Sequence, residues 1–230
     1  MSKILLLFKK MLGKTNPSRD KVITSEPVII NRNQHPISRK QINPNALKVL
    51  YRLHEAGFSA YLVGGCVRDL LLGREPKDFD VATNAKPEQV HQLFRSALLI
   101  GRRFRLVHVR FSGDVIEVAT FRQGNFIDED DEHRNEHGML MRDNQYGTID
   151  DDVVRRDFTV NALYYNIADF SVVDFMSGMQ DLQTGVIRMI GNPLHRFRED
   201  PVRILRAVRF AAKLSFRIES DTATAIPQTA

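Results

Sequence analysis

Two aspartates separated by a single residue are the first feature of the sequence that could do chemistry. Asp78, Phe79 and Asp80 open a segment, continued to residue 83, whose composition predicts a β-strand. Alternate residues of a strand point to one face, roughly 6.6 Å apart, so both carboxylates would lie on one edge. Carboxylates bind Mg²⁺, and two such ions about 4 Å apart can catalyse displacement at phosphorus. An isolated Asp-x-Asp is more often a solvated strand edge, so the pair needs support from its surroundings.

A pair of glycines upstream provides that support. Residues 61–63 predict a strand, Gly64 and Gly65 a turn, and residues 67–72 a short helix. The first amide groups of a helix are free to bind phosphate, and Arg68 adds a positive charge one turn along. A phosphate-binding turn beside metal-binding carboxylates is what the transfer of a nucleotide from a triphosphate requires.

A third acidic residue usually completes a two-metal site, and two residues compete for that place. Glu117 lies in a predicted strand among small apolar neighbours, where an unpaired carboxylate would be costly. Asp157 follows Arg155 and Arg156, where a surface ion pair explains it equally well. The spacing of these residues leaves both open.

The elements around these residues alternate between helix and strand, which predicts a mixed α/β layer. Hydrophobic periodicity predicts helices over residues 45–56, 87–94, 152–162 and 200–214. Short apolar runs predict strands over residues 98–100, 164–167 and 172–175, and a β-hairpin joins residues 106–111 to 115–121. The polar segment 123–150 is longer than an ordinary connection, which indicates a functional or mobile loop.

We expect three parts along the chain. Residues 1–35 lack periodicity and predict a flexible extension. Residues 36–170 would form the α/β head, and residues 171–230 the start of a second, helical domain. The helix over residues 200–214 places Val202, Leu205 and Val208 on one side and arginines on another. Little chain follows to cover that apolar side, so we expect a truncated protein.

Composition narrows the setting of the protein. Cys66 is the only cysteine, so no intrachain disulfide can form, and a reducing compartment such as the cytoplasm is expected. The apolar run 4–8 is too short for the core of a signal peptide or for a membrane span. The formal net charge of +5 suits a polyanionic partner, although many basic proteins bind none.

The charge is unevenly distributed. Arg102, Arg103 and Arg105 form one basic cluster, residues 196–209 hold another, and residues 128–132 form an acidic run. His133 and His137 are four residues apart inside the long loop, where we interpret them as solvated side chains rather than metal ligands.

Four motifs in one order resemble the class II nucleotidyltransferases of the polymerase-β superfamily. The motifs are residues 62–69 with Gly64, Gly65 and Arg68; Asp78-Phe79-Asp80; Arg155-Arg156-Asp157 with Asn161; and Glu199-Asp200 with Arg203, Arg206 and Arg209. This family includes bacterial poly(A) polymerases and CCA-adding tRNA nucleotidyltransferases. The resemblance covers residues 37–218 and implies a polymerase-β-like head, a mixed sheet flanked by helices, followed by the start of an all-helical neck.

The segment 98–109 resembles a signature of the poly(A) polymerase branch that the CCA branch is not expected to show. We therefore expect template-independent polyadenylation, in which AMP passes from ATP to an RNA 3′-hydroxyl and pyrophosphate leaves. The alternatives are a CCA-adding tRNA nucleotidyltransferase and, from another class, a non-catalytic RNA-binding module. RNA 3′ ends and ATP are the implied partners, and proteins of RNA degradation are further candidates.

The sequence indicates no oligomeric state. Poly(A) polymerases continue well past this length, which leaves the activity of this chain by itself open.

The resemblance also implies roles for the residues of the motifs. Asp78 and Asp80 would hold two Mg²⁺ ions, and Asp157 matches the family's third acidic position. Glu117 is the alternative for that position that the strand pattern indicates. The residues implied in nucleotide binding are Gly64, Gly65, Arg68, Arg155, Arg156, Asn161, Asp200, Arg203, Arg206 and Arg209. The glycines and Arg68 would hold the triphosphate of ATP. A carboxylate accepts from an exocyclic amine and a guanidinium donates to ring acceptors, so Asp200 and Arg203 would read the base. Arg206 and Arg209 either join this site or cover the surface of the neck.

Overall fold

The structure, a computed structural model, describes residues 26–101, 105–123 and 145–229. Several predictions from the sequence lie outside the described residues. They concern Arg102, Arg103, the acidic run 128–132, His133, His137, residues 1–25 of the extension and most of the long loop.

An eight-stranded mixed sheet forms the centre of the head, in the order β1-β8-β7-β2-β3-β6-β5-β4. The strands of the described chain are β1 (Val28–Ile30), β2 (Ala60–Val63), β3 (Asp80–Thr83), β4 (Ala97–Ile100), β5 (Leu106–Phe111), β6 (Asp114–Thr120), β7 (Leu163–Asn166), β8 (Val172–Asp174), β9 (Val186–Ile187) and β10 (Arg217–Ile218). Strands β3 and β6 are parallel, and the other neighbours in the large sheet are antiparallel. Strands β9 and β10 form a separate parallel pair.

Helices cover the sheet and follow it along the chain. They are α1 (Pro44–Glu55), α2 (Gly65–Leu71), α3 (Pro87–Leu93), α4 (Ile149–Arg155), α5 (Gly178–Thr184), α6 (Pro193–Glu199), α7 (Val202–Leu214) and α8 (Ser220–Thr229). Helix α1 begins where Asn43 accepts hydrogen bonds from the next amides and Pro44 fixes the first turn. Its apolar side packs on β2, β3 and β6 and forms the larger core. No described helix is long and apolar enough to cross a membrane.

Most elements predicted from the sequence are present, including the hairpin of β5 and β6 and the helix that became α1. Two boundaries are wrong. Residues 28–30 pair with β8 as an edge strand, although we assigned them to the extension. The predicted boundary between residues 170 and 171 falls inside the sheet, because β8 pairs with both β7 and β1. Backbone pairing with distant strands orders both segments.

One helix prediction needs correction in detail, and the packing of a second helix adds a side that the sequence did not indicate. The helix expected over residues 152–162 is α4 followed by a separate 3₁₀ turn, Thr159–Asn161. Helix α7 packs through Ala207, Phe210 and Leu214, and its apolar side with Val202, Leu205 and Val208 is exposed, in agreement with the expectation that little of the chain covers it. The described structure leaves that side without cover.

Candidate active site

Asp80 and Glu117 lie next to each other across two central strands. Asp80 is the first residue of β3, and its parallel partner in β6 is Glu117, so both side chains point to the same face. Burial raises the pKa of Asp80 to about 6, and the neighbouring charges of Glu117 and Asp78 act in the same direction. Arg156 opposes this shift. The positive charge of Arg156 therefore does not fully compensate the negative charge of the Asp80 carboxylate.

Asp78 is not in the strand, contrary to our prediction that the two aspartates alternate along it. It precedes β3 and is exposed, whereas Asp80 is partly buried. Phe79 anchors the segment between them, since its side chain is buried in the larger core. The two aspartates still act on one another through their charges.

The acidic residues fit a divalent cation by their chemistry. Asp78, Asp80 and Glu117 supply oxygen ligands, the kind that Mg²⁺ binds. In the described part of the chain, no three His, Cys, Asp or Glu side chains converge closely enough to hold a metal ion. A cation would therefore have to draw the carboxylates together. The raised pKa of Asp80 favours such binding, because a bound positive charge would compensate the buried negative charge.

The glycine turn adjoins these acids. Gly64 follows β2 and caps α2 with φ of 74° and ψ of −135°, a conformation open essentially to glycine alone. A Cβ atom at Gly64 would lie 3.6 Å from Nη1 of Arg156. Cys66 follows in α2 and is buried, with its thiol donating to the carbonyl of Val63 at 3.1 Å.

We expect Gly64→Ala to lower the free energy of unfolding by about 1–3 kcal/mol, because alanine cannot adopt this backbone conformation without strain. Chemical denaturation measures the loss. Gly65→Ala is the matched control, since Gly65 lies in α2 and its Cβ would make only an ordinary contact, 3.5 Å from Arg68. Equal stability of the two variants would contradict the assignment of strain to Gly64.

Arg156 lies beneath the glycine turn in a buried polar cluster. Its Nε donates to the hydroxyl of Tyr164 at 2.6 Å, and its Nη2 donates to Asp152 at 3.0 Å. The Tyr164 hydroxyl donates to the same carboxylate at 2.7 Å. The side chains of Arg156 and Asp152 are 20% and 12% exposed. Arg156 thus reaches Gly64 and Asp80 from a fixed position.

We had predicted that Arg68 binds a phosphate, but its side chain is directed into the protein. Only 2% of its side chain is exposed, and it donates to Asp69 at 2.8 Å and to Asn161 at 2.6 Å. Its guanidinium also lies over the ring of Phe210, 5.1 Å from the centroid. These contacts make Arg68 a support of α2, because every part of its charged group is occupied within the protein.

Asp157 is likewise committed to internal contacts. It accepts hydrogen bonds from the amide of Phe158 at 2.7 Å, from Asn161 at 3.1 Å and from Nε of Arg206 at 2.6 Å. It is not among the charges that shift the pKa of Asp80, whereas Glu117 is. Between the two competitors for the third acidic position, the structure therefore places Glu117, and not Asp157, beside Asp80.

Helices α6 and α7 bring a group of arginines to the end of α4. Arg196 donates to the carbonyl oxygens of Arg155 at 2.6 Å and Arg156 at 2.8 Å. Arg196 and Arg203 share the carboxylate of Glu199, at 2.6 and 2.5 Å. Asp200 accepts a hydrogen bond from the amide of Val202 at 3.2 Å and is partly exposed.

Positive charge is crowded at this end of α4. Burial lowers the pKa of Arg155 to about 9, and Arg122, Arg196 and Arg203 add to the effect while Glu199 opposes it. Burial also lowers the pKa of Arg196 to about 10. The guanidinium groups remain charged at neutral pH, so the crowding suits a polyanion such as a triphosphate.

Arg209 and Arg206 both lie over the ring of Phe210, at 5.0 and 5.2 Å from its centroid. Arg209 is exposed, and Arg206 is held by Asp157. Neither residue is among the groups that shift the pKa of Arg155. Their placement fits the surface of α7 better than a direct contact with nucleotide.

Sequence reasoning missed several residues of the site. Asp152 precedes Arg156 by four residues, the spacing that pairs charges on a helix, and this signal was available. Arg122 follows β6 and adds a positive charge between Glu117 and Asp152. No local sequence pattern predicts that Tyr164 or Arg122 belongs to the site, because pairing between strands that are distant in sequence places them there.

The chain is similar to known proteins over most of its length. A family model, the poly A polymerase head domain, matches residues 60–188. The chain is 58% identical over 226 residues to poly(A) polymerase I of Salmonella typhi, which is 96% of this chain and 49% of that protein. It is 41% identical over 181 residues to the CCA-adding enzyme of Lactobacillus helveticus, 79% of this chain and 43% of that protein. The chain spans about half the length of the curated relatives it matches.

The fold is also found in a solved structure. The Bacillus stearothermophilus CCA-adding enzyme in complex with CTP matches with a TM-score of 0.70 and 35% identity, over 82% of this chain and 44% of that one. The predicted fold class, a mixed sheet flanked by helices in a polymerase-β-like head, is confirmed.

Proposed function

The chain belongs to the family of the poly(A) polymerase head domain, and on that premise we propose that it transfers AMP from ATP to RNA 3′ ends without a template. Pyrophosphate is the leaving group. The observation that carries the proposal is the pair of neighbouring acids, Asp80 and Glu117, which interact through their charges with Arg156 and Arg122. The higher identity to poly(A) polymerase I than to a CCA-adding enzyme, 58% against 41%, favours ATP as the substrate.

The acidic residues would hold two Mg²⁺ ions. Asp80 and Glu117 would be ligands from the neighbouring strands β3 and β6, and Asp78 would join them from the exposed segment before β3. When bound, such ions supply charge neutralisation at the phosphates and make the RNA hydroxyl easier to deprotonate. In this proposal Asp157 positions Asn161 and Arg206 and does not bind metal.

The nucleotide would lie between the glycine turn and α7. The amides at Gly64 and Gly65 would bind the phosphates, and Arg155 would contribute positive charge from the end of α4. Asp200 and Arg203 would read the adenine edge, because a carboxylate accepts from the exocyclic amine and a guanidinium donates to ring nitrogens. Arg196 fixes Arg203 and the end of α4 relative to one another through Glu199.

Extension assays on the full-length protein test the proposal. We expect ATP to lengthen an oligoadenylate primer into a homopolymer and CTP to be a poor substrate. A CCA-adding activity is the second candidate, supported by the likeness to the CTP-bound enzyme. Addition of CTP to tRNA that lacks its CCA end, without homopolymer from ATP, would establish that candidate in place of ours. The cytoplasm is the proposed site of action, and proteins of RNA degradation are proposed partners.

A further inference from the structure

The sheet face that carries the acids continues to the edge strand β4. Strand pairing places Asp80, Glu117, His108 and Leu98 in one row across β3, β6, β5 and β4. Neighbouring strands lie roughly 4.8 Å apart, so the row extends roughly 15 Å from Asp80 to the edge. This part of the face is open in the described structure.

We call this surface the outer platform. It consists of Leu98, Ile100, Leu106, His108, Arg110 and Val115, which share a face by their pairing. Leu98, Ile100 and Val115 are 44%, 40% and 49% exposed. Large apolar side chains exposed together on a sheet face mark a surface that binds a partner.

The opposite direction along the same row is closed. From Asp80 the row continues to Val63, Tyr164 and Val173, all of them buried in the smaller core. Any chain that brings its end to Asp80 along this sheet face therefore has the outer platform as its open approach.

The chemistry of the platform matches single-stranded RNA. His108 and Arg110 are alternate residues of β5, roughly 7 Å apart on one face. Unstacked bases lie against imidazole and guanidinium planes, and a positive charge attracts the phosphates. His108 also stands 3.4 Å from Glu117, so the platform begins directly beside the acids.

Building on the proposed function, we infer that the outer platform binds the last bases of the RNA whose 3′-hydroxyl reacts. The six residues of the platform include no acidic side chain, and its aliphatic residues offer apolar contacts to the bases beside the imidazole and guanidinium planes. The segment 98–109, which resembles the poly(A) polymerase signature, supplies four of its six residues.

The test uses the double variant Leu98→Gln, Ile100→Gln in the full-length protein. We expect the KM for a short oligoadenylate to rise about tenfold, in line with the loss of apolar contact to the bases, with the KM for ATP unchanged. Leu99→Gln is the matched control, because Leu99 is 41% exposed on the same strand but points to the other face. Equal RNA KM values for the two variants would overturn the inference.

Fluorescence anisotropy with a labelled oligoadenylate measures the same affinities without turnover. This measurement remains informative even if the parent protein incorporates no AMP, so failure of the platform and failure of the proposed function are distinguishable. We expect His108→Ala to weaken RNA binding and His108→Phe to restore it, because phenylalanine keeps a stacking plane. A change in oligomeric state of the Leu98, Ile100 variant with unchanged RNA affinity would show instead that β4 pairs with a second copy.

Discussion

Replacing Asp80 by asparagine in the full-length protein will lower AMP incorporation by about a thousandfold or more while leaving RNA binding nearly unchanged. Asparagine keeps the size of the side chain but removes the negative charge, and charge stabilisation by bound metal is worth several kcal/mol in the transition state. Single-turnover incorporation from ATP measures the loss, and anisotropy with RNA measures the binding.

The same substitution will stabilise the protein when no divalent cation is present. The pKa of Asp80 is raised from 3.8 to about 6 in the folded chain, so the folded state binds the proton more tightly than the unfolded state. Stability conferred by the protonated form is full below pH 4, falls as the pH rises toward 6, and is lost above it. The ionised carboxylate therefore costs about 3 kcal/mol at pH 7.5, and Asp80→Asn removes that cost. Urea denaturation at pH 4 to 7.5 measures this dependence.

Asp114→Asn is the control with the opposite sign. Hydrogen bonds from Asn45 and Asn43 lower the pKa of Asp114, so its charge is favourable in the folded state and its loss gives no stabilisation. Addition of Mg²⁺ should raise the Tm of the parent protein at pH 7.5 and leave that of the Asp80 variant unchanged. An active Asp80→Asn protein would refute the metal site. A parent protein that binds RNA but incorporates nothing with Mg²⁺ would support the non-catalytic module.

The motifs could be located from the sequence because each is local. Asp78, Asp80, Gly64 and Gly65 lie within seventeen residues, and the residue types themselves indicate the chemistry. The third acid could not be chosen this way. Glu117 meets Asp80 only because β3 and β6 pair in parallel, and the register of that pairing is set by the whole sheet.

Burial in the folded protein determines the roles of residues that the sequence predicted wrongly or could not assign. Arg68 has the position of a phosphate ligand but is enclosed by Asp69, Asn161 and Phe210, and no sequence pattern reveals that enclosure. Helix α7 has two apolar sides in its sequence, and which one packs depends on the surface it meets. The side with Phe210 packs against the head because the ring of Phe210 contacts that of Phe158, with 5.9 Å between the ring centroids.

Arg156→Leu will lower the free energy of unfolding by roughly 3–5 kcal/mol, because it leaves the buried carboxylate of Asp152 without its positively charged partner. Chemical denaturation at pH 7.5 measures the loss. The double variant Arg156→Leu, Asp152→Leu should recover most of it, since removing both charges leaves no uncompensated ion. Arg105→Leu is the control, because its pair with Glu88 is about half exposed on both sides and its loss should cost under about 1 kcal/mol.

The same variant separates the two effects of Arg156 on the site. Its positive charge is the one that opposes the raised pKa of Asp80, so the pKa of Asp80 should rise further in Arg156→Leu and stay nearer the parent value in Arg156→Lys. The pH at which stability falls would move upward with it. If Arg156→Leu destabilised the chain without moving that pH, Arg156 would be a packing residue alone, and the compensation of Asp80 would have to come from a bound cation.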